Sequence, residues 1–405
     1  MVRRSALVSS LVALALLTCG PAPVAGAAEP LPVPSQDAFY TPPAPLPPGS
    51  PGDVLRSRRV DWHPEPFRVL PAPVDAHQVL HLSTSATGAR IAVSATVLVP
   101  PDAWPGPGPR PVVAYAMGTQ GLGDQCAPSY HLRAGTEVEI AFLAQALLKG
   151  WAVVVTDYEG LGTPGTHTYA VGRSEGHALL DAARAATRLP EAGLDRRAPV
   201  GAFGYSQGGQ AAAWAGELQP TYAPELNLVG IAEGGVPSDL NEVAAFNDGN
   251  LGSGLLVAAA VGYAAAYPEL PFADQLTRRG KELTAKVRDA CVAELALAAP
   301  FTRLNDLTTT PDLIDSPAWQ ARLAENRLGT TAPTAPVYLY HGTLDELIPY
   351  AAAEGLRDRY CARGADIQWT PIPLAGHITA VSVWGTAALN WLGDRYAGKP
   401  TRPSC

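Results

Sequence analysis

Ser206 stands between glycines in Gly204-Tyr205-Ser206-Gln207-Gly208. A serine hydroxyl is a weak nucleophile at its own pKa and needs an adjacent base, itself oriented by an acid. His377, in Gly376-His377-Ile378-Thr379, can be that base. Asp345, in His341-Gly342-Thr343-Leu344-Asp345-Glu346, can be the acid, with Glu346 its competitor next door. Of eight histidines, only His377 combines a late position, a strand-end loop and a flanking glycine. His341 reads as a residue that shapes the turn before Asp345. Such a set attacks an acyl carbonyl and needs two backbone N–H groups aimed at the developing oxyanion. Gln207, directly after the serine, offers one. The second is expected from Gly118-Thr119-Gln120-Gly121, with Thr119 the first choice and Gln120 next.

Those residues must be held by regular elements. Residues 90–100 alternate, with Ile91, Val93, Ala95, Val97 and Val99 on one face, which predicts a strand. Residues 111–117 and 151–156 are short apolar runs, the pattern of strands buried on both faces of a parallel sheet. Helical spacing covers 137–149 between them. A helix over 176–189, a strand over 199–204, a helix from Gln207 and a strand over 227–233 follow. Later come a strand over 335–341, a helix over 350–363, a strand over 366–372 and a helix over 378–396. Strands alternating with helices predict an α/β fold with a doubly wound, mostly parallel sheet. The Gly-x-Ser-x-Gly pattern is weak alone, but here it follows a strand and opens a helix, as a nucleophile elbow does. Asp345 and His377 fall in loops at the carboxyl ends of strands, where open α/β sheets build their sites. The chain order Ser206, Asp345, His377 is that of an α/β-hydrolase.

This core is assigned to residues 75–235 and 332–405. Residues 236–331 interrupt it with several helical patterns and no strand. Within them, 251–267 is apolar on all sides, which predicts a buried helix of a helical insert; a helix that also covers a binding cleft and gives it apolar lining is the sharper alternative.

Composition bounds the rest. The 405 residues are 47% hydrophobic and 16% charged, enough for a large core. Lys+Arg is 29 against Asp+Glu 37, a dispersed net charge of −8 that excludes a nucleic-acid binder relying on a basic surface. Arg3 and Arg4 precede an apolar run from Ala6 to Leu17, and Ala25-Gly26-Ala27 follows as a cleavage site. Residues 1–28 therefore read as a secretory signal peptide, too short to span a bilayer comfortably. Thr18 makes a poor lipobox before Cys19, and Ala6-Leu7 continues a twin-arginine signal imperfectly. The mature protein is expected outside the cell. Residues 29–74 are assigned to a proline-rich N-terminal segment, of which the proline-crowded 29–51 read as an extended arm that Phe39 and Tyr40 pin to the body. No HExxH helix occurs, the cysteines are too scattered for zinc, and Gly160-Leu161-Gly162 lacks dinucleotide spacing, so no metal or cofactor is expected.

Four of the five cysteines remain in the mature chain, an even count that reads as two disulfides in an exported protein. Cys126 follows the oxyanion loop, and Cys291 sits in the insert above the same end of the sheet. Cys361 ends the helix over 350–363, and Cys405 follows the final helix. The expected pairs are Cys126–Cys291 and Cys361–Cys405.

Further motifs carry a resemblance. Asp157-Tyr158-Glu159-Gly160-Leu161-Gly162-Thr163-Pro164-Gly165, Val171-Gly172-Arg173-Ser174-Glu175-Gly176 and Gly204-Tyr205-Ser206-Gln207-Gly208-Gly209 resemble the secretory lipase family of fungi and actinobacteria. Cys126-Ala127-Pro128-Ser129 fits as well, as does Phe39-Tyr40 before Pro42-Pro43. The resemblance, to lipase A-like α/β-hydrolases, covers nearly the whole mature chain. It implies a helical lid inserted after the sixth strand, here residues 236–331. It also implies cofactor-free hydrolysis of acylglycerol or related esters by Ser206, Asp345 and His377. In some fungal members an acidic side chain stands in the oxyanion loop; Gly118-Thr119-Gln120 departs from that. The expected partner is an ester or lipid substrate, with transient lipid-interface contact through the lid and no protein partner implied. Two other readings stand beside a secreted lipase or carboxylesterase. One is an acyltransferase using the same triad. The other is a non-enzymatic surface protein on a hydrolase scaffold, which loss of the serine or histidine would signal.

Overall fold

The computed structural model describes residues 31–67 and 72–405, and the account below concerns the unit Pro32–Cys405. The signal-peptide reading over 1–28, with Cys19, lies outside the described residues.

The chain opens with strands β1 (Val54–Val60), β2 (Asp75–Thr84), β3 (Arg90–Val99) and β4 (Val112–Ala116). Helices α1 (Pro128–Ala134) and α2 (Ile140–Leu148) lead to β5 (Ala152–Thr156), α3 (Gly172–Arg188), β6 (Pro199–Tyr205), α4 (Gln207–Tyr222) and β7 (Asn227–Gly234). Five helices follow: α5 (Leu240–Asn247), α6 (Ser253–Ala266), α7 (Arg278–Arg288), α8 (Val292–Ala298) and α9 (Pro317–Glu325). Then come β8 (Val337–Gly342), α10 (Tyr350–Cys361), β9 (Ile367–Ile372) and α11 (His377–Tyr396).

The strands form one nine-stranded sheet in the order β1-β2-β3-β5-β4-β6-β7-β8-β9. The pairs from β5 to β9 are parallel, and β1, β2 and β3 join antiparallel at one edge. All five residues of β4 and of β5 are buried, as central strands with helices on both faces require. One apolar layer joins the sheet to α3, α4 and α10 through Leu179, Trp214 and Leu356. The other joins it to α2 and α11 through Leu143 and Leu389. The five-helix insert has a core of its own, with Val261, Tyr263, Leu295 and Trp319 at its centre. Among the described residues, no helix is long and apolar enough to cross a membrane.

Two readings need correction. The 29–51 stretch is not wholly extended, since it holds two single turns of 3-10 helix, Pro34–Gln36 and Ala38–Tyr40, and the rest of the 29–74 segment contributes β1. β1 reads Val-Leu-Arg-Ser-Arg-Arg-Val, whose arginines mask its alternation because it is an edge strand with mostly half-buried residues. The turns close because Asp37 accepts from the Phe39 N–H at 3.0 Å and is clamped by Arg58 at 2.6 Å and Arg133 at 3.1 Å. Phe39 and Tyr40 are buried, and the Tyr40 hydroxyl meets that of Ser129 at 2.9 Å. Beyond the five strands that the sequence pattern predicts ahead of the insert, the structure has β1 and β2, so the insert follows the seventh strand of the chain rather than the sixth that the resemblance implies.

Candidate active site

Four loops at the carboxyl ends of β4, β6, β8 and β9 converge. Ser206 sits at the β6–α4 junction with φ 58° and ψ −122°, a conformation costly for a residue with a side chain. Its N–H is held by the Gly234 carbonyl at 2.9 Å. The glycines around it are there for contact. A Cβ on Gly204 would lie 2.1 Å from the Gly208 carbonyl oxygen, and one on Gly208 would lie 2.0 Å from that of Ala116.

The loops after β8 and β9 are knitted together by Thr343 N–H to Ile372 and Leu344 N–H to Ala375, each 3.0 Å. This brings the His377 Nδ1 to 2.7 Å from Asp345 Oδ2. The other Asp345 oxygen accepts from the N–H groups of Leu347 at 2.9 Å and Ile348 at 2.8 Å. Burial alone would raise the Asp345 pKa. The His377 hydrogen bond, the nearby imidazoles and the Ile348 N–H outweigh it and hold the carboxyl below its ordinary range. Glu346, the competitor for the acid's role, instead accepts from the His377 backbone N–H at 2.9 Å. His341 does more than shape the turn: its Nε2 lies 3.0 Å from the Ile348 carbonyl and 3.3 Å from Asp345 Oδ2. Burial keeps that imidazole's pKa low, against the pull of Asp345. Tyr205, next to the nucleophile candidate, packs its ring 4.9 Å from that of His377 and donates to the His377 carbonyl at 2.7 Å.

The loop after β4 flanks the elbow, since Ala116 pairs with Gly204 across β4 and β6. Among the described residues, no backbone carbonyl accepts from the N–H of Thr119 or Gln207. The Thr119 hydroxyl meets the Tyr169 hydroxyl at 2.9 Å. Gln120 is buried, and its carbonyl accepts from Val292 N–H at 2.8 Å. Cys126 is bonded to Cys291 and Cys361 to Cys405.

Three residues around this site, two of them buried and Glu139 half-buried, were not singled out from sequence. Glu139 accepts from the Gly118 N–H at 2.7 Å and the Tyr115 hydroxyl at 2.6 Å, so a carboxylate does brace the loop after β4, from outside it. Glu175 accepts from the Gln207 side-chain amide at 2.9 Å and the Ala170 N–H at 3.0 Å. His167 lies 3.0 Å from the same amide, with its Nδ1 2.8 Å from the Glu159 carbonyl. That geometry makes Nδ1 the donor and Nε2 the acceptor from Gln207. Burial lowers the His167 pKa to about 4 and raises that of Glu175 to about 8. Glu175 had a signal: it shares the apolar stripe of Ala178, Leu179 and Ala182, where an acid is out of place. His167, in an aperiodic loop, had none.

In front of Ser206 lies a narrow, mostly apolar cavity of about 80 Å³ that opens to solvent. Ser206 and Gln207 form its floor, and Leu240, Val243, Leu255 and Leu323 of the insert much of its wall.

A family description, "Secretory lipase", matches residues 128–403. "Secreted triacylglycerol lipase LIP7" of Malassezia globosa is 32% identical over 91% of this chain and 81% of its own length. "Probable inactive lipase MT1628" of Mycobacterium tuberculosis is 32% identical over 91% of this chain and 83% of its own. Among solved structures, lipase A of Candida antarctica in its closed state superposes with a TM-score of 0.84 at 27% identity, covering 92% of this chain and 89% of that one.

Proposed function

The chain belongs to the secretory lipase family and is an ester hydrolase of the α/β-hydrolase fold; from that premise we propose that it cleaves acylglycerol or related esters through an acyl-enzyme on Ser206. In this reading the Asp345 carboxylate holds the His377 ring with Nδ1 protonated, which leaves Nε2 free as the base. The Ser206 hydroxyl gives its proton to Nε2 as its oxygen attacks the ester carbonyl. The N–H groups of Gln207 and Thr119 stabilise the oxyanion. The imidazolium then protonates the leaving alcohol, and water, activated by the same imidazole, releases the acid.

The observation that carries the proposal is the 2.7 Å His377–Asp345 pair, tied through Tyr205 to the strained elbow that presents Ser206 to an apolar cavity. The same residues support this reading over that of a hydrolase scaffold without chemistry, the state that the name of the mycobacterial relative indicates for that protein. The test is Ser206→Ala in purified, folded protein. Hydrolysis of a simple ester should fall by about 10⁴-fold or more. Near-normal turnover would remove Ser206 from the reaction.

The apolar wall is the acyl side of the site, and the insert acts as its lid. Leu344, Leu374 and Ile378 beside His377 are exposed, as are Leu251, Leu297 and Phe301 on the insert. Together these residues offer a lipid surface apolar contact. Export through a cleaved signal over residues 1–28 fits the secreted relatives.

A further inference from the structure

Residues 157–176 lead from the end of β5 into the first turn of α3 and carry two of the motifs read in the sequence. None of them takes part in the reaction as proposed, yet they reach both residues given to the oxyanion. On one side, the Tyr169 hydroxyl lies 2.9 Å from that of Thr119, and the Tyr158 hydroxyl donates to the Met117 carbonyl at 2.7 Å. On the other, the Gln207 side-chain nitrogen donates to His167 Nε2 at 3.0 Å and to Glu175 at 2.9 Å. Both hydrogens of that amide are engaged, so it is not free to rotate. The segment is itself stiff. The rings of Tyr158 and His167 stack with centroids 5.9 Å apart, and those of His167 and Tyr169 lie 6.1 Å apart. Glu175 also accepts from the Ala170 N–H at 3.0 Å. Tyr158, with φ 68°, and Ala170, with φ 61°, stand in the left-handed region, which is costly for residues with a side chain and persists only where the surroundings enforce it.

The N–H groups of Thr119 and Gln207 belong to different elements, the loop after β4 and the start of α4. Their spacing depends on the packing of Gly208 against Ala116 and on what holds the two side chains. One segment holds both. We propose that Tyr169, His167 and Glu175 are positioning residues that keep the N–H groups of Thr119 and Gln207 at the spacing a developing oxyanion needs. The inference rests on the reading of Ser206 as nucleophile and of those two N–H groups as the oxyanion hole. Oxyanion donors work by being aimed before the charge develops. A side chain that fixes their aim therefore acts on kcat without touching the substrate.

The probes are a short nitrophenyl ester and an alkyl trifluoromethyl ketone, whose carbonyl adds a serine and then carries the oxyanion. Glu175→Leu, His167→Phe and Tyr169→Phe should each lower kcat by about 10- to 100-fold, since a misplacement of about 1 Å costs on the order of 10²-fold. KM should stay within about twofold, because the ground-state carbonyl has little charge to lose. The ketone should bind more weakly by the factor that kcat falls, while the corresponding secondary alcohol binds as before. Glu175→Gln keeps an acceptor oxygen for the Gln207 amide and should hold kcat within about threefold. Tyr169→Phe removes a single oxygen and carries the test should the other variants fail to fold; combined with Thr119→Val, it should cost no more than either change alone. Unchanged kcat in the folded single variants overturns the inference, and so does a fall in kcat that the ketone does not share. Additive losses at Tyr169 and Thr119 overturn it too, as does a Glu175→Gln protein as impaired as Glu175→Leu. If Ser206→Ala still bound the ketone as tightly, the reading of the nucleophile would fail instead, a result the positioning variants cannot mimic.

Discussion

Gly208→Ala is the sharpest probe of the proposed oxyanion hole. An ideal Cβ there would lie 2.0 Å from the Ala116 carbonyl oxygen and 2.8 Å from its carbon, where real Cβ contacts essentially never fall under 3.0 Å. The two backbones must therefore part by about 1 Å. Neither can yield alone, because Ala116 ends a buried strand paired to Gly204 and Gly208 opens the helix that follows Ser206. The separation that grows is the one between the Gln207 N–H and the loop carrying Thr119. A misplacement of about 1 Å costs on the order of 10²-fold, and loss of one oxyanion donor costs about 10² to 10³ in kcat. We expect kcat to fall by about 10² to 10³ with KM little changed, since the ground-state carbonyl has not yet developed the charge. Gly216→Ala, on the same helix, is the control. Its Cβ would meet the tip of the Ile231 side chain at 2.4 Å, far from the elbow, so the melting temperature should drop while kcat holds. The assay is steady-state hydrolysis of a short nitrophenyl ester, alongside thermal melts by circular dichroism. A folded Gly208→Ala protein with kcat within about threefold of the unaltered one would refute the reasoning, because displacing a working oxyanion donor costs far more than that.

The remaining predictions concern the acid, a buried glutamate and the disulfides. Asp345→Asn should lower kcat by about 10⁴-fold, while Glu346→Gln, whose carboxylate reaches only the His377 backbone, should cost far less; the reverse ranking would exchange their roles. Burial raises Glu175 to about 8 against the pull of its two N–H donors, from an ordinary 4.5. Its protonated form thus adds stability that is full below pH 4.5 and lost as pH rises through about 8. Glu175→Gln should flatten the fall in melting temperature over that window, and an unchanged slope would mean Glu175 does not titrate there. The disulfides span sequence separations of 165 and 44 residues, worth about 5 and 4 kcal/mol on chain entropy. Removing either should lower the melting temperature, but only Cys126→Ser with Cys291→Ser should also lower kcat; equal effects on kcat would sever the first disulfide from the site.

The parallel core was legible because its strands are apolar runs separated by helical spacing, and the three candidate side chains all fall where those runs stop. Residues 111–117 and 199–204 differ from β4 and β6 by a residue at one or both ends. β1 and β2 were not legible. The arginines of β1 face an edge, and β2 carries His77, Gln78 and His81, all buried. In sequence such residues look solvated; only the folded neighbours that satisfy Gln78, the Tyr40 hydroxyl at 3.0 Å and the Ser129 carbonyl at 2.8 Å, explain them. The same holds at the site. A nucleophile, a base and their loops leave local marks, whereas the supports of Thr119 and Gln207 come from Tyr169, His167, Glu175 and Glu139, whose relation to them is purely spatial.

Those supports have a consequence for the insert. Its Cys291 segment is bound to the oxyanion loop by a disulfide and by a short antiparallel bridge. In that bridge Leu122 N–H donates to Ala290 at 2.9 Å and Val292 N–H to Gln120 at 2.8 Å. Cys291 opens α8, and α8 lies against α6, where a Cβ on Gly254 would stand 2.0 Å from the Leu295 carbonyl oxygen. Helix α6 in turn gives the cavity Leu255 and Tyr263. A continuous path of backbone contacts thus runs from the residues proposed to hold the oxyanion to the wall that meets the acyl chain. The insert cannot swing as one body without pulling on Gln120 and Leu122, so any opening proposed for it is confined to parts beyond the Cys291 tie. By the same path, a substitution that overpacks α6 against α8 acts on kcat as well as on chain-length preference, because the strain reaches the loop that carries Thr119.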